Sequence, residues 1–178
     1  MKKYAKLVEG RLERLLRIPN NYSCTEEYLA EYAKEHGYKE LIETPRPSPH
    51  YNPVYTETET TIDEGWEPMD LDMVKQEAYR NIQESLNFRI KQRTEVTCEA
   101  LEKSIIYDEA ALINAMGLEP GDAFICADDS IILVTEEQIA AIKATLKGFR
   151  QGIYAEATVK RQEVADAKTV EEVERVIF

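Results

Sequence analysis

The sequence has few of the residues that usually carry catalysis or metal binding. It contains two histidines and three cysteines in 178 residues, and Cys24, Cys98 and Cys126 are widely spaced. An odd and scattered set of cysteines gives neither a disulfide framework nor a zinc-binding pattern, so we expect a reduced compartment. There is no Gly-rich phosphate loop and no Cys-x-x-Cys pair. We therefore expect no cofactor, no metal and no enzymatic activity.

Long apolar runs and an excess of positive charge are also missing. Glu9, Arg11, Glu13 and Arg14 interrupt the N-terminal segment, which argues against a signal peptide. No window approaches the roughly 18 apolar residues that a transmembrane helix needs. A net charge of −12 repels nucleic-acid phosphates. These absences predict a soluble protein, made in the cytoplasm, that binds neither nucleic acid nor membrane.

The charge is distributed unevenly along the chain. Residues 1–19 carry six basic and two acidic side chains, residues 20–73 carry three and thirteen, and residues 104–137 carry eight acidic and no basic ones. Such polarity can steer partners together, although solvated faces are the simpler interpretation. The basic N-terminus is therefore a candidate interface for an acidic neighbour. Its basic residues are Lys2, Lys3, Lys6, Arg11, Arg14 and Arg17.

The pattern predicts an α+β protein, with a small β-containing region 1–69 that holds one helix and a largely helical region 70–178. In the first region we expect these elements: a strand pair around Gly10 or a short helix over 3–17, a helix starting at Ser23 or Thr25 and ending at Gly37, a strand over 38–43, an extended proline connector over 45–53, and a strand over 54–62 followed by a turn at Gly65.

The second region is expected to place a β-hairpin between long helices. In chain order we expect these elements: one long helix over 71–102, which lacks Gly and Pro, a short helical piece over 104–118, a hairpin with arms 123–127 and 131–134, a long helix starting at Thr135, and a terminal helix capped by Thr169 with Val173, Val176 and Ile177 on one face.

The helix that begins at Thr135 carries the clearest periodic signal in the sequence. Its apolar residues are spaced 3, 4, 3, 4, which is the rhythm of a coiled-coil seam over two heptads. The stripe can pack against the helix from residue 71, or it can be a self-association interface. The residues of this candidate interface are Ile139, Ile142, Leu146, Phe149 and Ile153.

Other polar and aromatic clusters have a functional and a structural interpretation. Carboxylates at the hairpin tip can ligate a hard cation or remain solvated, and carboxylates in residues 57–64 can serve glycoside hydrolysis or line an exposed strand. Tyrosines in the first 55 residues favour either an interface or a core. The hairpin-tip carboxylates are Asp122, Asp128 and Asp129, and those of residues 57–64 are Glu57, Glu59, Asp63 and Glu64. The tyrosines are Tyr4, Tyr22, Tyr28, Tyr32, Tyr38, Tyr51 and Tyr55. Neither His36 nor His50 has a nearby Cys or Ser in a nucleophile pattern, which favours a structural role.

Residues 71–178 resemble a domain family of unknown function found in phage and prophage genes that often neighbour or encode tail fibres. The likeness is carried by DAFICADDSIILVTEEQIAAI and, after 22 intervening residues, ADAKTVEEVERVIF. The closing helix pattern of that family corresponds here to Ala167, Thr169, Glu171, Glu172, Val173 and Val176. The segment HGYKELIETPRPSPHYNPVYTETET is similar to what precedes such domains, whereas residues 102–121 depart from the family pattern.

The resemblance implies a bacteriophage virion protein associated with a tail, fibre or connector. Its partners would be other phage structural proteins, in an oligomer with itself or with them. No catalytic residue is implied, because the family has none established. An assembly chaperone that leaves the particle, and a small hydrolase that uses the acidic strand region, are the alternatives.

Overall fold

A computed structural model describes residues 2–15 and 25–176. The protein is α+β, and the chain divides between Asp70 and Leu71 into two compact units. This division lies within one residue of the expected boundary between the two regions. Five residues used in the sequence predictions lie outside the described ones: Arg17, Tyr22, Ser23, Cys24 and Ile177.

The N-terminal unit is built on a five-stranded sheet with the order β2-β1-β3-β5-β4. Its strands are β1 Tyr4–Val8, β2 Arg11–Arg14, β3 Lys39–Ile42, β4 Tyr51–Glu57 and β5 Thr61–Pro68, and its helix is α1 Glu26–Glu35. The β3–β5 pair is parallel and the other pairs are antiparallel. Ala5, Leu41 and Ile62 form the buried centre.

A tight hairpin joins β1 to β2. Val8 pairs with Arg11, so only Glu9 and Gly10 form the loop, and both have positive φ, 51° and 76°. Positive φ at both central residues is the type I′ geometry, whose twist matches that of the flanking strands. The expected strand pair around Gly10 is therefore confirmed, and the short-helix alternative is wrong.

Helix α1 begins and ends where the sequence indicates. The Thr25 side chain accepts a hydrogen bond from the Tyr28 N–H and caps the helix. Gly37 follows the helix with a φ of 72°, the left-handed conformation that glycine adopts without a Cβ clash. His36 Nδ1 lies 2.9 Å from the Tyr32 carbonyl oxygen, so the histidine has a structural role at the helix end.

Two predictions near the second hairpin were wrong. Residues 54–62 do not form one strand, because the chain turns at 58–60, where Thr58 Oγ1 accepts hydrogen bonds from the N–H groups of Thr60 and Thr61. Gly65 is not in a turn but inside β5, opposite Val54. A Cβ at Gly65 would lie 3.3 Å from Val54 Cγ2, so a larger residue here would crowd the paired strand.

The proline connector gives way to a strand earlier than expected. Residues 43–48 form neither helix nor strand, whereas β4 already begins at Tyr51 and includes Pro53. Proline is tolerated in β4 because this strand lies at one edge of the sheet.

The C-terminal unit contains four α-helices and two separate two-stranded antiparallel sheets among its described residues. Its elements are α2 Leu71–Lys91, β6 Thr94–Cys98, a 3₁₀ turn Glu99–Leu101, β7 Lys103–Tyr107, α3 Glu109–Met116, β8 Ala123–Ile125, β9 Ile131–Leu133, α4 Glu136–Asp166 and α5 Val170–Glu174.

The long helix expected over 71–102 and the helical piece over 104–118 were wrong in part. Helix α2 ends at Lys91, and a β6–β7 hairpin follows, so only α3 remains of the second piece. Thr94, Val96 and Thr97 are β-branched and suit a strand. The turn between the strands contains neither Gly nor Pro, because Glu102 itself adopts the left-handed conformation with a φ of 53°.

The predicted helix starts at Thr135 and Thr169 are confirmed. Thr135 Oγ1 accepts from the Gln138 N–H at 3.3 Å and Gln138 Oε1 accepts from the Thr135 N–H at 3.0 Å, which is a capping box. Thr169 caps α5 by accepting from the Glu172 N–H. Val173 is buried in the short helix that follows.

The heptad stripe of α4 lies in the core of the C-terminal unit. Its first half packs on β6, β7 and α3 in a cluster with Cys98, Ile105 and Tyr107, and its second half packs along α2. An Arg89–Glu156 ion pair at 2.8 Å joins α2 to α4. The interface interpretation is therefore wrong for this stripe, since the chain itself covers these side chains. The residues concerned are Ile139, Ile142, Leu146, Phe149 and Ile153.

Candidate docking surface

The β8–β9 hairpin is held at its base and near its tip by backbone hydrogen bonds. At the base, the Gly121 N–H donates to the Val134 carbonyl at 2.8 Å and the Val134 N–H donates to the Asp122 carbonyl at 3.0 Å. Near the tip, the Cys126 N–H donates to the Ser130 carbonyl at 2.9 Å. The expected hairpin is confirmed, with arms of three residues each.

The two faces of this hairpin have different surroundings. Phe124 pairs with Ile132 in register, and both side chains pack against the core cluster. The alternation of a strand places the remaining pairs, Ala123 with Leu133 and Ile125 with Ile131, on the opposite face. We call these four residues the outer hairpin face. Ile125, Ile131 and Leu133 are 61%, 66% and 71% exposed.

Such an exposed aliphatic face is unusual for a small hairpin. Strands that are apolar on both faces are typical of sheets covered on both sides, whereas a sheet with one solvated face normally alternates apolar and polar residues. The outer hairpin face presents apolar surface on the order of a few hundred Å², a size at which patches on monomers are often functional. The described part of the chain leaves this face uncovered.

Acidic residues flank the outer hairpin face at both ends. Residues 118–137 include six acidic side chains and no basic one. Asp128, at the tip, is paired with Lys103 at 2.8 Å, and hydrogen bonds from Lys103 and Ser130 hold the pKa of Asp128 far below its usual range. The other five are exposed: Glu119, Asp122, Asp129, Glu136 and Glu137.

The acidic residues at the hairpin tip do not gather into a metal site. Asp128 Oδ2 receives the Lys103 ammonium, and Asp122 Oδ2 accepts the Glu119 N–H at 2.8 Å. Over residues 2–15 and 25–176, no group of three or more His, Cys, Asp and Glu side chains is arranged to hold a metal ion. No helix in these ranges is long and apolar enough to cross a membrane.

The basic N-terminus meets acidic groups of its own sheet. Lys2 Nζ lies 2.7 Å from Glu40 Oε2, and this hydrogen bond raises the pKa of Lys2. Lys3 is paired with Glu43 and lowers the pKa of that carboxyl. These positive charges are balanced within the N-terminal unit, which weakens their case as a docking site for an acidic neighbour.

Two more of the predicted basic residues, Lys6 and Arg14, also pair with glutamates of the N-terminal unit. Lys6 lies 3.6 Å from Glu13, and Arg14 lies 3.4 Å from Glu43. Arg11 is exposed at the start of β2.

Two of the four carboxylates considered for hydrolysis, Glu57 and Glu64, contact neighbouring side chains. Glu57 pairs with Lys39 at 3.0 Å. Glu64 is buried, accepts a hydrogen bond from the Tyr55 hydroxyl at 3.3 Å and lies 3.9 Å from Arg14. Burial and the Glu64 carboxylate raise the pKa of Tyr55. The Glu57 contact joins β4 to β3, and the Glu64 contacts join β5 to β4 and β2, so both glutamates have a structural role.

Sequence reasoning missed the outer hairpin face. Both arms are apolar in the sequence, but the sequence alone does not indicate whether each face of the hairpin is covered. A further exposed pair, Ile113 and Met116, lies three residues apart on α3 and was also missed. The signal for the hairpin was in the strings AFI and IIL, which are apolar at every position and so fill both faces of a strand.

The comparisons with known proteins add no relative to this picture. The chain matches no protein-family model, no curated protein and no solved structure with significance.

Proposed function

We propose that the protein is a structural component of a bacteriophage particle, associated with its tail, fibre or connector, and that it acts by docking other proteins rather than by catalysis. The observation that carries the docking role is the outer hairpin face, on which the cross-strand pair Ile125 and Ile131 is exposed together with Leu133, two residues along β9.

The energetics favour burial of this face by a partner. Fully burying one large aliphatic side chain is worth about 1.5–3 kcal/mol. Three such side chains that are already partly covered supply on the order of 5 kcal/mol before the cost of association. That is enough for a contact within a larger assembly, where several weak contacts act together.

The phage assignment rests on the resemblance of residues 71–178 to the tail-fibre-associated family. Its support is the order of elements, in which a hairpin leads through a Thr-capped start into a long helix, and a second Thr-capped helix closes the chain.

The test is mass spectrometry of purified particles produced with the wild-type gene or with variants. We expect the protein in particles, and we expect the double variant Ile131→Ser with Leu133→Ser to be incorporated at least tenfold less. Val159→Ser is the matched control, because Val159 is an exposed aliphatic residue on α4, outside the hairpin. Circular dichroism of the purified variants verifies folding. If the wild-type protein is absent from particles whose assembly requires its gene, it is an assembly chaperone and the virion role is wrong.

A further inference from the structure

We infer that the outer hairpin face binds a partner protein whose surface is apolar at its centre and basic at its rim, and that the occupant is not a second copy of this chain. This inference rests on the proposed docking function and adds the chemistry of the partner.

Charge complementarity is the first argument. The apolar face lies between acidic residues at the hairpin base, Glu119, Asp122, Glu136 and Glu137, and at its tip, Asp129. Residues 118–137 contain no basic side chain, and the nearby Lys103 is already paired with Asp128. A partner with Lys or Arg around an apolar centre gains attraction at both ends, whereas an acidic or anionic surface is repelled.

A second copy fits this face poorly. In a two-fold pair each copy presents the same surface. Because both ends of the hairpin are acidic, either orientation of such a pair brings carboxylates together.

The basic N-terminal residues of another copy do not offer an alternative. Lys2, Lys3, Lys6 and Arg14 are paired with glutamates of their own sheet. Releasing them to bind the hairpin of a neighbour would exchange one set of ion pairs for another. Together with the acidic ends that a two-fold pair would bring together, these ion pairs favour a different protein with uncommitted cations as the occupant.

The dimensions of the face indicate the kind of surface that fits it. Each arm has three residues, so the apolar strip is about 10 Å long. This length matches about two turns of an α-helix. An amphipathic helix with two or three large apolar side chains, flanked by Lys and Arg, covers the strip and reaches the acidic residues at both ends.

The test uses two fluorescein-labelled synthetic helical peptides with the same leucine stripe. One peptide has lysine at all remaining positions, and the other has glutamate at those positions. Fluorescence anisotropy measures their binding to the full chain. We expect the Leu/Lys peptide to bind, with affinity falling several-fold between low and physiological salt. We expect no binding of the Leu/Glu peptide at the same concentrations.

Matched variants locate the binding. Leu133→Ser should weaken binding of the Leu/Lys peptide at least tenfold, and Val159→Ser should leave it unchanged. The rim variant Glu119→Gln with Asp129→Asn should weaken it about threefold or more, whereas Glu67→Gln, an exposed carboxylate of the N-terminal unit, should not. Ile131→Thr, which keeps a β-branched residue in the strand, replaces Leu133→Ser if circular dichroism shows that the latter is unfolded.

Three results would overturn the inference. The first is that Leu/Lys binding is absent or is equal in wild type and Leu133→Ser, since equal binding reports only the net charge of −12. The second is equal binding of the two peptides. The third is self-association in sedimentation experiments that Leu133→Ser abolishes, which makes a second copy the occupant. Absence of the protein from particles contradicts the virion role alone, so the two failures are distinguishable.

Discussion

Tyr107 is a residue at which removing one atom should stabilise the C-terminal unit. Its side chain is completely buried, and its hydroxyl has no hydrogen-bond partner within the described residues. The ring packs on Phe149, with centroids 4.8 Å apart and planes tilted by 59°. Tyr107→Phe keeps this ring contact and removes the polar atom from the core.

The expected gain follows from the cost of burying an unpaired hydroxyl. That cost is about 1–3 kcal/mol, and we expect Tyr107→Phe to raise the free energy of unfolding by about 1 kcal/mol. For a unit of this size, such a gain raises Tm by about 4 °C.

Alkaline pH gives the same prediction a second readout. Burial raises the pKa of Tyr107 above its usual 10.0. A raised pKa means that the folded state holds the proton more tightly, so this contribution to stability is present below pH 10 and is lost as pH rises through the folded-state value. The wild type should lose that part of its stability in this range, and Tyr107→Phe should not.

Urea unfolding followed by two probes measures the effect. Far-UV circular dichroism reports mainly on the C-terminal unit, because α2, α3, α4 and α5 lie there, whereas the single tryptophan, Trp66, lies in the N-terminal unit. Tyr154→Phe is the control, since Tyr154 is partly exposed and Arg150 lies over its ring at 5.8 Å. We expect no gain from it.

A loss of about 1 kcal/mol or more in Tyr107→Phe would refute the reasoning. It would mean that the hydroxyl is hydrogen-bonded in solution, for instance to a buried water, so that its removal breaks a bond. A gain of equal size in Tyr154→Phe would refute it as well, because the effect would then not depend on burial.

Three further changes test the packing, the helix start and the hairpin tip. Ile142→Ala should lower the free energy of unfolding in urea by about 2–4 kcal/mol, because the side chain is fully buried. The control Val159→Ala should change it by no more than about 0.5 kcal/mol. Similar values for both variants would contradict the assignment of the stripe to the core. Thr135→Ala should cost about 1 kcal/mol by loss of the capping box, and Thr135→Ser should retain most of it. Asp128 has a lowered pKa, so its contribution is present above the usual 3.8 and is lost as pH falls below it; Asp128→Asn should flatten the decline of the thermal midpoint below about pH 4, and an unchanged decline would count against the Lys103 pair.

Local signals predicted the elements whose ends are marked by side-chain chemistry. Thr25, Thr135 and Thr169 each cap the helix that the sequence assigned to them. Gly10 and Gly37 both have positive φ, where the absence of a Cβ removes strain. In these places a single residue determines the local backbone, so one sequence suffices to find it.

The errors fall where a turn has no such marker. Glu102 adopts a left-handed conformation between β6 and β7, and no Gly or Pro is there to signal it, so the sequence pattern predicts helix where the strand pair lies. Thr58 builds the β4–β5 turn with its side-chain oxygen, whereas Gly65 lies inside β5, opposite Val54. In both cases the turn is built by a residue other than Gly or Pro, so the composition of the segment does not signal it.

Periodicity has a related limit at the candidate docking surface. A stripe such as that of α4 shows that one side of a helix is covered, but not whether the same chain or a partner covers it. The outer hairpin face is more informative, because here the structure accounts for Phe124 and Ile132 through the core and leaves Ile131 and Leu133 exposed. Polar residues at exposed strand positions would cost this fold little. The described fold therefore does not need apolar residues on this face for its stability. Binding of a partner through this face would need them.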